Sequence, residues 1–189
     1  MLSFEKSSYA DFDAVYDDML QQFPKEEIKS KQILSSRIKN GVYQFLRAFD
    51  DKKSVGYALL FSSRGHLFID YIAVYKPYHS NGYGGQMLEA LKNFYPDENG
   101  CFLEVEKIDP KKENTSRRVS FYKKHGATLL SEKYLYPNEQ GALPMDLYYI
   151  PYKGSMPQND ETKNFITTLF KSLHNDLPHI NRVIEKIFN

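Results

Sequence analysis

The chain reads as an α/β domain, and three observations predict it: strand-like and helix-like segments alternate along most of its length, a glycine-rich turn carries one strand into one helix, and apolar residues are frequent enough to fill a core. Of 189 residues, 41% are hydrophobic and 26% charged, which suits one folded domain of ~100–200 residues rather than a disordered chain. Lys and Arg total 25 against 24 Asp and Glu, a formal charge of +1. That balance argues against a dedicated nucleic-acid binder, whose phosphate contacts call for a basic excess. The longest apolar run, around 71–74, falls far short of the ~20 residues of a membrane span. The opening Met1-Leu2-Ser3-Phe4-Glu5-Lys6 has no basic region followed by an apolar stretch, so no signal peptide is expected. The one cysteine, Cys101, forms no internal disulfide, and a reduced, cytoplasmic setting is expected.

Residues 1–65 predict a short strand, two helices and a hairpin. Phe12, Val15, Tyr16, Met19 and Leu20 share one face of a helix over 10–22, closed by Phe23-Pro24. A second helix is expected over 25–39, ended by Asn40-Gly41, a pair suited to a left-handed cap. Strands follow over 42–48 and 55–61, joined by Asp50-Asp51-Lys52-Lys53. Residues 67–75 form a mostly apolar strand. After a glycine turn, a helix over 86–95 places Met87, Leu88, Leu91 and Phe94 inward. A strand over 101–106, a helix over 114–125 stopped by Gly126, and strands over 128–136 and 145–152 complete a domain of residues 1–153. The tail, 154–189, starts as a polar linker and continues as two amphipathic helices. Phe165, Ile166, Leu169, Phe170 and Leu173 line the first, and Ile180, Val183, Ile184, Ile187 and Phe188 the second. Faces this apolar must be covered, by the domain or by a second copy in a homodimer.

The segment richest in chemistry is Ile72-Ala73-Val74-Tyr75-Lys76-Pro77-Tyr78-His79-Ser80-Asn81-Gly82-Tyr83-Gly84-Gly85. Glycines let the chain turn tightly and present several N–H groups in one direction. The start of the following helix adds partial positive charge, and together these suit a pyrophosphate. A nucleoside-triphosphate loop would need GxxxxGK[ST], which the chain lacks. A dinucleotide fold would need GxGxxG, and Met87 stands at its third glycine.

The run His79-Ser80-Asn81-Gly82-Tyr83-Gly84 resembles motif A of the GNAT N-acetyltransferases, [QR]-x-x-G-x-[GA], with His79 in the Arg/Gln position. A second block, Leu103-Glu104-Val105 followed by Asn114 and by Phe121-Tyr122-Lys123-Lys124-His125-Gly126-Ala127, is similar to the family pattern LEV…N…FYxxxGF. Here Asn114 lies one residue further from the tyrosine than the common register, and Arg118 stands where a small residue is typical. The resemblance implies a mixed, mostly antiparallel sheet of six to seven strands flanked by helices, with the tail as a C-terminal helical extension. It also implies acetyl transfer from acetyl-coenzyme A to a primary amine, borne by a small molecule or a peptide. By the same resemblance His79, Ser80, Asn81, Gly82, Tyr83, Gly84 and Gly85 hold the pyrophosphate, and Ile72, Ala73 and Val74 pair with the pantetheine like an added strand. Asn114 and Arg117 join the coenzyme site, Arg117 through the basic stretch 107–125. Tyr122 faces the sulfur as acid, and Glu104 is the base. Asp70, on the preceding strand, is the alternative base. Arg118 has two open roles, beside the tyrosine or at a phosphate. Two other functions compete: a coenzyme or acyl-coenzyme A sensor without turnover, and a dinucleotide-binding oxidoreductase. The five histidines show no HxxxH spacing and no CxxC accompanies them, so no metal is expected.

Overall fold

The structure, a computed structural model, describes residues 2–188. Seven strands form a mixed, mostly antiparallel sheet in the order β1-β2-β3-β4-β5-β7-β6, flanked by helices. By contacts the chain divides into two compact units, Met1–Ser62 with Ile69–Pro96, and Ser63–Phe68 with Asp97–Asn189.

The first unit starts with β1 (Leu2–Lys6), antiparallel to β2 (Gln44–Asp50), which pairs antiparallel with β3 (Lys53–Ser63). Most of β4 (His66–Val74) also belongs to it. Its helices are α1 (Phe12–Gln22), α2 (Lys31–Lys39) and α3 (Tyr83–Phe94). In α1 three of the five expected stripe residues, Phe12, Val15 and Met19, are buried; Tyr16 is half-buried, and Leu20 is exposed, off the stripe. The second helix is shorter than its sequence suggests. Lys25–Glu27 is a single 3-10 turn, Ser30 is extended at ψ 150°, and its hydroxyl accepts from the Ile33 N–H at 3.3 Å. A serine able to cap a helix therefore starts it there. Gly41 ends it at φ 70°, where a residue with a Cβ would be strained.

The second unit carries β5 (Gly100–Glu106), β6 (Thr128–Asn138) and β7 (Gly141–Pro151), with β7 antiparallel to both. Its helices are α4 (Glu113–Lys124), α5 (Asn159–Leu173) and α6 (Ile180–Phe188). All five residues predicted to line α5 are buried. Phe165 stacks on Phe102 of β5 with centroids 4.5 Å apart, and Phe170 meets Tyr134 of β6 at 5.8 Å. On α6, Ile180 and Val183 are buried, and His179, just ahead of it, donates from Nε2 to the Gly141 carbonyl at 2.8 Å. Within this unit the tail helices thus have partners in the same chain. No helix among the described residues is long and apolar enough to cross a membrane.

Candidate functional site

In the first unit the chain leaves β4, makes a 3-10 turn over Lys76–Tyr78, and reaches α3 through His79 to Gly82. Two residues of this turn take left-handed backbone: Ser80 at φ 64° and Gly82 at φ 78°. Glycine accepts that conformation freely, which is why one stands at the cap of α3. The helix starts at Tyr83, three residues earlier than expected, and its first main-chain bond runs from the Gln86 N–H to the Gly82 carbonyl at 3.3 Å. The amides of Tyr83, Gly84 and Gly85 precede that bond and have no partner within the helix. Exposed turn residues leading into a helix start are an arrangement suited to an anion.

Side chains hold this turn in place. His79 Nε2 lies 2.7 Å from the Val74 carbonyl. A carbonyl can only accept, so that nitrogen carries the hydrogen, and the ring clips the turn to the end of β4. Gln22 of α1 donates to the same carbonyl at 3.1 Å and to Asp18 at 2.5 Å, and Tyr57 donates to Asp18 at 2.9 Å. The Tyr83 hydroxyl donates to Asp50 at 2.7 Å, a bond that raises its pKa. Along β4, Ala73 is buried and Ile72 and Val74 are half-buried, whereas Ser80, Asn81 and Gly82 are exposed.

Asp70 lies in quite different surroundings. Its side chain is 2% exposed and forms an ion pair with Lys29 at 3.0 Å. Tyr43 also donates to it through a very short hydrogen bond. Burial first, and then the charge of Asp70, push the Tyr43 phenol well above its ordinary range. Lys29 belongs to the stretch between α1 and α2. Tyr71 secures that stretch a second time, donating to the Glu27 carbonyl at 2.7 Å and accepting from the Lys29 N–H at 3.2 Å.

In the second unit, Glu104 sits on β5 opposite Leu147 of β7 and is half-buried between buried Leu103 and Val105. Tyr122 is half-buried in the last turn of α4. Burial pushes its phenol up to about 12; Arg118 pulls the other way and Glu106 adds to the rise. At neutral pH this hydroxyl is a donor. Arg118, left between two roles by the sequence, bonds Glu106 of β5. Asn114 and Arg117 are exposed, and Arg117 bonds Glu113 at 2.5 Å. The buried polar residue at this helix start is Thr115, whose hydroxyl accepts from the Asp109 N–H at 3.0 Å and donates to the Lys112 carbonyl at 2.8 Å. Sequence reasoning passed over it, although a threonine one residue nearer the tyrosine matches the common spacing and suits a helix start.

The sequence profile described as the acetyltransferase (GNAT) family matches residues 12–127. The chain belongs to this family. A Bacillus subtilis (strain 168) protein, YjbC, whose name places it provisionally among acetyltransferases, is 29% identical over 110 residues, 58% of this chain and 54% of that protein. The chain thus spans about half the length of the curated relative it matches. Among solved structures, a GNAT-family protein from Bacteroides thetaiotaomicron superposes with a TM-score of 0.77 over 89% of this chain and 96% of its own, at 24% identity. A Bacillus subtilis acetyltransferase solved in complex with coenzyme A superposes at 0.57 over 80% and 99%, at 18% identity. At such identities these superpositions speak for the fold.

Proposed function

We propose that the chain is an N-acetyltransferase that moves the acetyl group of acetyl-coenzyme A to a primary amine by direct attack in a ternary complex. Family membership over residues 12–127 carries this reading, together with a turn whose left-handed Ser80 and Gly82 lead into the first amides of α3. In it, the main chain of residues 79–85 holds the pyrophosphate, residues 72–74 border the pantetheine, and Asn114 and Arg117 lie along the coenzyme's path. The coenzyme-A complex of the Bacillus subtilis neighbour supports the choice of carrier.

The chemistry then follows from two side chains. An alkylammonium ion cannot attack, so Glu104, directly or through a water, takes its first proton and passes it to solvent. The neutral nitrogen adds to the acetyl carbon, the C–S bond breaks, and the electron pair leaves on sulfur. The Tyr122 hydroxyl donates to that sulfur as charge develops. Sulfur keeps the phenol's proton, and the second proton, lost from nitrogen as the amide forms, restores the phenol. A phenol held near 12 is protonated at neutral pH and so has a proton to give, while a thiol of ordinary pKa ~8.5 is a leaving group that the shared proton stabilises. Glu104 is preferred over Asp70 because Lys29 and Tyr43 already claim the Asp70 carboxylate.

The test is release of free thiol from acetyl-coenzyme A with an alanyl peptide, a lysyl peptide or a polyamine as acceptor, against a blank without amine. Amine-dependent release supports transfer. Tight acetyl-coenzyme A binding without release for any acceptor would leave a sensor, and binding of NADH in place of coenzyme A would overturn the assignment.

A further inference from the structure

Helix α4 buries fewer of its residues than α3, which has the same length. Of its twelve residues only Thr115 and Val119 are buried. The chain reaches it through an exposed stretch that includes Ile108 at 55% exposure. Thr115 and Val119 are its fully buried anchors, with Phe121 and Tyr122 half-buried near its end, so the packing fixes its rotation only loosely. The Thr115 hydroxyl secures its first turn to the preceding loop. Tyr122 lies near the other end, where that tie has no leverage.

One side-chain bond reaches from the middle of the helix to the sheet, from Arg118 Nη1 to Glu106 Oε2. Both partners are well placed to matter. Arg118 precedes Tyr122 by four residues, so the two share a helix face. Glu106 follows Glu104 by two residues, so the two share a face of β5. The bond therefore joins the helix face that carries Tyr122 to the strand face that carries Glu104. Its side chains are 43% and 25% exposed, and at such exposure an ion pair contributes little to overall stability. Its effect lies in geometry. An arginine at a position where the family pattern has a small residue also gives the pair a specific reason to exist.

We propose that Arg118 and Glu106 are positioning residues, a brace that holds Tyr122 in register with β5 for its role at the departing sulfur. The brace rests on the acid role proposed above for Tyr122, and its test separates the two. The two charges act on the phenol in opposite senses, Arg118 lowering and Glu106 raising its pKa, so removing each one moves the titration in a different direction.

The experiment uses the full chain with ring-labelled tyrosine, the Tyr122 signal being assigned by its loss in Tyr122→Phe. Arg118→Gln is expected to move Tyr122 titration to higher pH and Glu106→Gln to lower pH, and the charge-reversed pair Arg118→Glu with Glu106→Arg to return its resonance towards that of the wild type. Displacing a catalytic group by a fraction of an ångström to an ångström costs about ten- to a hundred-fold in rate. Thiol release in Arg118→Gln should therefore fall by that factor, with acetyl-coenzyme A affinity unchanged. A general loss of folding would shift both single variants the same way and would not be repaired by charge reversal. A Tyr122 signal that neither variant moves overturns the brace. Repair of the Tyr122 resonance by charge reversal, with full thiol release by Tyr122→Phe, would keep the brace and remove the acid role.

Discussion

Helices α3 and α4 are both twelve residues long, each follows a strand, and each carries part of the proposed site, yet they are held by different means. α3 buries Met87, Leu88, Ala90 and Leu91, whereas α4 buries Thr115 and Val119. The first presents main-chain amides at its start, where the packing of the remainder fixes them. The second presents one phenol near its end, held by a hydroxyl at the start and an ion pair in the middle. A site made of backbone needs only that the helix be in place. A site made of a side chain needs the helix to be in place and turned correctly.

The largest effect should therefore appear at the phenol. Tyr122→Phe removes the hydroxyl and little else, and general acid–base groups contribute roughly 10²- to 10⁴-fold. Thiol release should fall by about a hundred-fold or more while calorimetry gives the same acetyl-coenzyme A affinity. Equal losses in rate and affinity would instead make Tyr122 a binding residue and erase the contrast with α3.

The two candidate carboxylates sharpen the same contrast. Asp70→Asn leaves Lys29 charged in surroundings where its side chain is 9% exposed, and breaking such a pair costs about 3 kcal/mol or more. Denaturant unfolding should show that loss. Glu104→Gln should slow turnover and leave the unfolding midpoint within about 1 kcal/mol of the wild type. Reversed results would make Asp70 the base and Glu104 a structural residue.

A smaller effect is expected at the clip on the turn. His79→Ala deletes the donor to the Val74 carbonyl, a bond worth about 1 kcal/mol. Coenzyme A affinity measured by calorimetry should weaken about five-fold, with turnover at saturation retained. No change would show that α3 fixes the turn unaided.

The smallest effect concerns the second unit as a whole. His66 is buried, its Nδ1 is 2.9 Å from the Tyr149 hydroxyl, and burial lowers its pKa below 6.5 despite Glu161 and Glu98. The unfolded chain takes up a proton that the folded chain resists, so stability is full above that ordinary value and declines as pH falls below it. Thermal melts from about pH 7 to about pH 5 should show the decline. His66→Gln should flatten it, and an unchanged slope would assign the acid sensitivity to other groups.

How much of this could be read beforehand differs between the two regions for a physical reason. Gly82 marks the α3 turn because few residues tolerate its left-handed backbone, and with Gly84 and Gly85 in the first turn of the helix it announces the site in the sequence. The amphipathic stripes of α1 and α5 are equally visible because burial repeats with the helical period. The start of α2 is not, since Ser30, within an apparently continuous helical stretch, caps a new start there. Nor was the state of Asp70, whose partners Lys29 and Tyr43 lie 41 and 27 residues away in the chain. Arg118 was a visible oddity with an unreadable partner. A strand and a helix must be packed before Glu106 becomes its neighbour.

The claim beneath all of this is that backbone amides between residues 79 and 86 bind the diphosphate of an acyl carrier. Calorimetry of acetyl-coenzyme A against the wild type and Gly84→Glu tests it most directly, because the substitution puts a negative side chain into the first turn of α3. Clear binding by the wild type and a loss of about a hundred-fold or more in the variant, with both chains folded, are expected. Equal affinity in the two, or none in either, would contradict it.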